Sequence, residues 1–113
     1  MNDGLAPGLR SQHGAVAALC ETYGVSRLEV FGSAADGGFD PARSDFDFIA
    51  RFEPDASQSL ARRYVAFCEA LEQLLGRRVD VMTDRPIENP YFRRAVDASR
   101  RDFYVRPAAQ APA

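Results

Sequence analysis

The spacing of apolar residues predicts a helix and then a strand in the first third of the chain. An apolar stripe at helical spacing covers residues 15–23 and ends at Gly24, a residue typical of helix ends. The stripe consists of Val16, Leu19, Cys20 and Tyr23. Residues 28–31 are mostly apolar and predict a short strand that ends at Gly32.

A loop, a second strand and a second helix follow. Residues 37–44 contain two glycines and a proline and are predicted as a loop. Residues 45–52 alternate between the two sides of a strand. Asp55 is a candidate N-cap for a helix that ends at Gly76. The apolar stripe of this helix is formed by Leu60, Tyr64, Phe67, Leu71 and Leu74.

The last third of the chain adds a third strand over residues 78–82, a helix over 91–98 and a short strand over 103–105. Pro86 and Pro90 separate the third strand from this helix. Helices and strands therefore alternate along the chain. The pattern predicts an α/β (α+β) domain in which helices pack on a small mixed β-sheet.

Length and composition predict a single domain. A chain of 113 residues is long enough for a hydrophobic core but too short for a separate substrate domain. We expect the folded domain to span residues 11–106, between a flexible N-terminus (1–10) and a disordered Ala/Pro tail (107–113).

Composition also narrows the functional classes. The sequence has no apolar run of membrane-spanning length and no signal-peptide core, so we expect a cytoplasmic protein without a membrane partner. The net charge of −2 gives no indication of direct nucleic-acid binding. Every basic residue except His13 is arginine, which excludes a lysine nucleophile.

Two aspartates open the second predicted strand. Side chains two positions apart in a strand point to the same face, so Asp45 and Asp47 share one face while Phe46 and Phe48 point into a core. Adjacent carboxylates raise each other's pKa unless a cation lies between them. Oxygen ligands suit Mg²⁺ or Mn²⁺, which keep other positions for water and phosphate oxygens. The pair indicates a phosphoryl or nucleotidyl transferase.

Asp80 and the Gly-Ser pair extend this site. Asp80 lies on the third predicted strand, where a structural aspartate and a third functional carboxylate are about equally supported. A third carboxylate can bind metal with Asp45 and Asp47 or accept a proton from an attacking hydroxyl. Gly32 at a strand-to-helix turn lets the backbone approach a phosphate, and the Ser33 hydroxyl can donate to it.

This order of strand, Gly-Ser, loop and Asp-x-Asp strand resembles the signature of the DNA polymerase β-type nucleotidyltransferase superfamily. The short chain and the third Asp in residues 78–82 resemble its minimal nucleotidyltransferase (MNT) branch, and residues 89–96 are similar to the end of many such domains. The resemblance spans residues 14–105 and implies the polymerase β-like fold. It implies catalytic and metal-binding roles for Asp45, Asp47 and Asp80, and nucleotide binding by Gly32 and Ser33.

Members of this branch are commonly the antitoxins of HEPN-domain ribonuclease toxins. The resemblance therefore implies transfer of AMP from ATP to a tyrosine hydroxyl of such a toxin, which silences the nuclease. It further implies two Mg²⁺ ions, with Mn²⁺ as a substitute, ATP as the substrate, and a hetero-oligomer with the toxin.

Two features depart from the family pattern. The loop between Ser33 and Asp45 is one residue longer than usual, and Ala34 stands where many relatives have an arginine. Three other arginines are candidates to replace that arginine: Arg43, Arg51 and Arg93. Two alternatives stay open: a non-catalytic antitoxin that inhibits by occupancy, and a small-molecule nucleotidyltransferase with a separate acceptor-binding subunit.

The remaining candidates have structural interpretations. His13 falls in the region predicted to be loose and is expected at the surface. Cys20 and Cys68 are expected to pack as small hydrophobic residues, because neither has a zinc-type neighbour in sequence. Three tyrosines are also expected to pack: Tyr64, Tyr91 and Tyr104.

Overall fold

A computed structural model describes residues 5–40, 42 and 44–107. The elements in chain order are α1 (Pro7–Ser11), α2 (His13–Tyr23), β1 (Val25–Phe31), α3 (Ser33–Asp36), β2 (Phe46–Phe52), α4 (Leu60–Leu75), β3 (Val79–Thr83), α5 (Pro90–Ser99) and β4 (Arg101–Val105). Each strand and each of the three longer helices lies where the apolar pattern predicts one.

The four strands form one mixed sheet in the order β3-β2-β1-β4. Strand β1 runs antiparallel to both β2 and β4, whereas β2 and β3 are parallel. The predicted α/β architecture, with helices packed on a small mixed sheet, is confirmed. No helix in the described part of the chain has the length and apolar character needed to cross a bilayer.

One face of the sheet carries the main hydrophobic core, beneath α2 and α4. Leu28, Val30 and Phe48 point into it and are fully buried. Phe46, at 3% exposure, joins them, so the predicted inward orientation of Phe46 and Phe48 is confirmed. Burying one such side chain contributes about 1.5–3 kcal/mol, which fixes the register of β2 and therefore the face on which its other residues lie.

The opposite face is only partly covered. Helix α5 packs Val96 against Phe31 and Ile49 in a small second cluster, with Met82 and Ile87 at its edge. The start of this helix is capped, because the Asn89 side chain accepts hydrogen bonds from the two N–H groups that follow Pro90. This half-covered face carries the candidate site.

The helix ends follow the predictions except at the start of α4. Gly24 and Gly76 end α2 and α4 in the left-handed conformation, with φ of 73° and 64°. The predicted N-cap Asp55 is wrong: the Ser59 side chain caps α4, while Asp55 accepts bonds from Ser57 in the preceding turn. Leu60 is 50% exposed and lies outside the core stripe.

The N-terminal segment is ordered closer to its start than the sequence predicts. Residues 7–11 form α1, Leu9 is fully buried, and the Ala6 N–H donates to the Ala34 carbonyl oxygen at 2.9 Å. Packing of the described residues thus begins before the predicted boundary at residue 11, and the flexibility of segment 1–10 stays a prediction. Residues 1–4 and 108–113 lie outside the described residues, as do Pro41 and Arg43 of the loop.

The single histidine is not in a loose segment. His13 begins α2, and its Nε2 donates to the Phe103 carbonyl oxygen at 2.8 Å. Its ring also packs against the Phe103 ring, with 4.9 Å between centroids. His13 thus ties α2 to β4 while remaining exposed, so its surface placement is confirmed and its predicted looseness is wrong.

The predicted packing of the cysteines and tyrosines is confirmed for all of these residues except Tyr91. Cys20 is buried and Cys68 half-buried, both as free thiols, which confirms their packing role. Tyr104 is buried and Tyr64 half-buried, as predicted. Tyr91 is 76% exposed, so the prediction that it packs is wrong.

Candidate active site

Asp47 and Asp80 are register partners on the neighbouring parallel strands β2 and β3. Their neighbours Phe48 and Val81 point into the main core, so both aspartates lie on the half-covered face. Asp45 immediately precedes β2, two positions before Asp47. The structure therefore brings together the three carboxylates that sequence analysis selected.

The surroundings of Asp47 disfavour its charged form. Burial, and then the negative charges of Asp80 and Asp45, raise the pKa of Asp47 to about 6. Within the described part of the chain, none of the three forms an ion pair. The site thus concentrates negative charge that no cation among residues 5–40, 42 and 44–107 balances through an ion pair.

The Gly-Ser turn lies directly against this group. Gly32 adopts φ 71° and ψ −151°, and a β-carbon built on it would lie 2.9 Å from Oδ2 of Asp47. Only glycine fits such a position without strain. Ser33 begins α3 and is half-buried, and its hydroxyl has no hydrogen-bond partner among the described residues. That hydroxyl is therefore available to a bound molecule.

Ser99, which sequence analysis did not select, positions this turn. The Gly32 N–H donates to Ser99 Oγ at 2.8 Å, which links the end of β1 to the last residue of α5. The two residues are 67 positions apart, and no local pattern marks Ser99 as part of a site.

Tyr64 packs against the main core behind the strand that carries Asp80, whereas Phe92 lies on the half-covered face. The Tyr64 hydroxyl donates to the Val81 carbonyl oxygen, next to Asp80, and burial raises the pKa of this tyrosine. Phe92 packs edge-on against Phe31, which is the register partner of Asp47 on β1.

The position after the Gly-Ser pair is part of the core. Ala34 is fully buried and Ala35 is 4% exposed, so packing residues stand where the family resemblance leads us to expect an arginine. Of the candidate substitutes, Arg51 points toward Glu53 and Asp84, at 3.5 and 3.9 Å. Arg93 lines a cavity next to Ile49, two positions along β2 from Asp47. Arg43 is outside the described residues.

The donor set suits a hard divalent cation. All three candidate ligands are carboxylates, whose oxygen atoms are the donors that such ions prefer. Among the described residues, no three His, Cys, Asp or Glu side chains are placed so that they alone could form a metal cage and hold an ion. Mg²⁺ does not need such a cage, because it is commonly held by one or two carboxylates together with substrate phosphates.

Comparison with known proteins agrees with this geometry. Residues 14–103 match the family model described as "Nucleotidyltransferase domain". The chain belongs to this nucleotidyltransferase family. A curated relative from Methanocaldococcus jannaschii, described provisionally as a protein adenylyltransferase, is 33% identical over 79 residues, which cover 70% of this chain and 77% of the relative. The protein is therefore a nucleotidyltransferase.

Solved structures show the same nucleotidyltransferase fold. One, described provisionally as a minimal nucleotidyltransferase, is 35% identical, with a TM-score of 0.63 over 82% of this chain and 90% of that chain. A chain from the complex of tri-AMPylated Shewanella oneidensis HEPN toxin with MNT antitoxin is 13% identical, with a TM-score of 0.58 over 86% and 72%. A toxin–antitoxin structure with AMP-PNP gives 16% identity and 0.62 over 82% and 73%. At these low identities, the last two show a shared fold alone.

Proposed function

We propose that this nucleotidyltransferase transfers AMP from ATP to a tyrosine hydroxyl of a partner protein of the HEPN toxin class, and so acts as its antitoxin. The observation that carries the proposal is the placement of Asp47 and Asp80 as register partners beside Gly32. The Gly32–Ser33 turn, which a phosphate can approach, thereby lies against carboxylates that form no ion pair among the described residues. The curated relative described provisionally as a protein adenylyltransferase supports the choice of AMP and of a protein acceptor.

The Gly32–Ser33 turn and the carboxylates have different roles: the turn binds the nucleotide, and the carboxylates lie at the reacting phosphate. The Ser33 hydroxyl receives the β- and γ-phosphates of ATP, because it has a free donor within the described structure and the neighbouring Gly32 carries no side chain that would hold a phosphate off. Ser99 holds the turn in place through the Gly32 N–H. The α-phosphate then lies over Asp47, which is in contact range of the turn.

The transfer is a single displacement at phosphorus. The tyrosine oxygen forms a bond to the α-phosphorus, the bond from that phosphorus to the α,β-bridging oxygen breaks, and the electron pair leaves with pyrophosphate. Asp80 is exposed at the surface, where an incoming acceptor can reach it. We assign Asp80 as the group that takes the hydroxyl proton, in addition to its place in the metal-binding set.

Asp45, Asp47 and Asp80 would hold the divalent cations, Mg²⁺ or Mn²⁺. When bound, the cations would neutralise the negative charge that develops on the attacking and leaving oxygens. The protein contributes the orientation of the carboxylates, which the alternation of β2 and the pairing of β2 with β3 fix.

Intact-mass analysis tests the proposal. The purified protein is incubated with Mg²⁺, ATP and the protein encoded beside it, and the masses of both chains are measured. We expect the partner to gain one or more AMP units with the wild-type protein and none with Asp45→Asn. Asp55→Asn is the matched control, because Asp55 is exposed in a turn, where its side chain accepts hydrogen bonds from Ser57. The control is expected to act as the wild type does.

One observation favours a second candidate, inhibition by occupancy. Ala34 fills the place of an arginine that many relatives have, and it is buried. A stable complex in which neither chain gains mass, and in which Asp45→Asn still neutralises the partner, would favour this candidate and contradict the catalytic proposal.

A further inference from the structure

A groove continues from the carboxylates along the half-covered face. Ile49 and Met82 lie two positions beyond Asp47 and Asp80 on the same strands, on the same face, and about 7 Å further along. They form part of the floor of a cavity of about 220 Å³ between α5 and the chain that follows β3. A second cavity of about 200 Å³ shares Ile49, Asp84 and Arg100 with it and extends the groove toward Arg51. We call these two connected cavities the α5 groove.

The groove and the Gly-Ser turn lie on opposite sides of Asp47. Strands β1 and β2 are antiparallel, and Phe31 pairs with Asp47. Gly32 therefore continues past one end of this pair, while Ile49 and its partner Glu29 lie past the other end. Along the strand axis, the order is phosphate turn, carboxylates, groove.

This order constrains the direction of attack. In phosphoryl transfer, the attacking and leaving oxygens are roughly in line through the phosphorus. If pyrophosphate leaves toward Gly32 and Ser33, the acceptor hydroxyl must arrive from the opposite side of Asp47. That side is the α5 groove.

The charges of the groove indicate what it recognises. Its carboxylates are already paired. Asp97 and Glu29 pair with Arg100 at 3.1 and 2.8 Å, and Asp84 pairs with Arg51 at 3.9 Å. Arg85 and Arg93 line the groove and are exposed, and in the described structure neither forms an ion pair. The unbalanced charge at the groove is therefore positive and lies on two guanidinium groups.

We propose that the α5 groove binds the acceptor segment of the substrate protein, with the tyrosine ring over Ile49 and Met82 and with acidic neighbours of that tyrosine on Arg85 and Arg93. The inference rests on the proposed adenylyl transfer. Guanidinium groups bind carboxylates in a bidentate manner, which suits acidic residues flanking the tyrosine.

The size of the first cavity, which Met82 lines, favours a side chain over a nucleoside in that part of the groove. Ligand pockets for whole small molecules typically measure about 300–1,000 Å³. The cavity beside the carboxylates measures about 220 Å³. It therefore accommodates one aromatic side chain, with the flanking residues on the rim.

Peptide binding tests the inference independently of catalysis. The probe is a fluorescent peptide with one tyrosine flanked by glutamates, measured by anisotropy against the full chain. We expect Arg93→Glu and Arg85→Glu each to weaken binding by about ten-fold, and a peptide with lysines in place of the glutamates to bind the wild type about ten-fold less well. Affinity for Mg-ATP is measured in parallel and is expected to stay within about two-fold.

Arg62→Glu is the matched charge-reversal control, because Arg62 is exposed on α4, away from the half-covered face. Equal peptide affinity for Arg93→Glu and Arg62→Glu would overturn the inference. So would a loss of Mg-ATP affinity in Arg93→Glu without loss of peptide affinity, since that places the nucleotide in the groove. Peptide binding that depends on Arg93 without any AMP transfer would retain the groove as a docking site and contradict the proposed activity instead.

Discussion

A β-carbon placed on Gly32 would lie 2.9 Å from Oδ2 of Asp47. Gly32 also has φ 71° and ψ −151°, a conformation that other residues avoid. We expect Gly32→Ala to strain the turn and displace the carboxylate. The free energy of unfolding should fall by about 1–3 kcal/mol, and AMP transfer should be lost. Chemical denaturation and the transfer assay measure the two effects.

Gly14→Ala is the matched control for this substitution. Gly14 lies within α2, and nothing lies within 4 Å of an added β-carbon there. Alanine in a helix is favoured over glycine, so the free energy of unfolding should rise by about 0.5–1 kcal/mol with activity unchanged. Full activity in Gly32→Ala would contradict the assigned role of the turn.

The raised pKa of Asp47 predicts a pH-dependent stability in the absence of metal. The carboxyl has a pKa of about 6 in the folded protein, against an ordinary value of 3.8 for an aspartate. The folded state thus holds this proton more tightly than the unfolded state. The contribution of Asp47 to stability is present below about pH 4 and is lost as pH rises through about 6, so the ionised group destabilises the protein at neutral pH.

Asp47→Asn should remove this penalty. At pH 7 without metal, we expect its free energy of unfolding to exceed that of the wild type by about 1 kcal/mol, a value reduced from the full shift because solvent partly screens the site. The difference should vanish at pH 4. Mg²⁺ should raise the melting temperature of the wild type and not that of the variant. Thermal denaturation from pH 4 to 8, with and without Mg²⁺, measures both.

Asp55→Asn serves as the control for the pH experiment. Hydrogen bonds from Ser57 lower the pKa of Asp55, which is opposite to the shift of Asp47. This variant should therefore show no gain in stability at pH 7 and should retain the response to Mg²⁺. An equal response to Mg²⁺ in Asp47→Asn would show that the ion binds elsewhere.

Features that depend on neighbours in sequence were predictable. The alternation of Phe46, Asp47 and Phe48 gave the faces of β2 correctly, because burial of the two rings fixes which side the carboxylate occupies. The helix ends at Gly24 and Gly76 were predictable for the same reason, because a glycine that ends a helix is recognised from its immediate neighbours. Spacing alone did not decide whether Asp80 lies next to Asp47. That contact depends on the parallel pairing of β2 with β3.

Features that depend on tertiary contact were not predictable. The five-residue helix α1 has a Gly- and Pro-containing sequence, and its order comes from burial of Leu9 against the rest of the domain. Ser99 reaches Gly32 across 67 positions, and no periodicity or capping pattern encodes that bond. The choice of Ser59 over Asp55 as the cap of α4 is a competition between two good capping residues that sequence alone does not decide.

Ser99→Ala should impair nucleotide binding more than stability. The Gly32 N–H would lose its acceptor, so the turn that receives the phosphates would be held less firmly. We expect KM for ATP to rise by about five- to ten-fold, with a loss of about 1 kcal/mol in the free energy of unfolding. Initial rates over a range of ATP concentrations separate KM from kcat.

Ser59→Ala is the matched control for Ser99→Ala. Ser59 caps α4 through the Arg62 N–H, remote from the half-covered face, and removing a cap also costs about 1 kcal/mol. Its KM for ATP should equal that of the wild type. A parallel rise in KM in both variants would attribute the effect of Ser99→Ala to stability alone.

The Glu29–Arg100 ion pair fixes α5 over the sheet, and its loss should be costly. Arg100 Nε and Nη2 each donate to a Glu29 carboxylate oxygen at 2.8 Å, and Glu29 is 9% exposed. Hydrogen bonds from Arg100 to Glu29, more than those to Asp97, raise the pKa of the guanidinium. Arg100→Met would leave a buried carboxylate without a partner, and the free energy of unfolding should fall by about 2–3 kcal/mol.

The adjacent Arg27–Asp102 pair provides the comparison. Its side chains are 49% and 46% exposed, so Arg27→Ala should cost at most about 0.5 kcal/mol. In Arg100→Met with Glu29→Gln, much of the lost stability should return, because the second change removes the unpaired charge. Urea denaturation of the two single variants and the double variant measures the coupling. If Arg100→Met costs no more than Arg27→Ala, the buried pair does not hold α5, and the groove beneath the helix must be maintained by the packing of Val96 against Phe31 and Ile49.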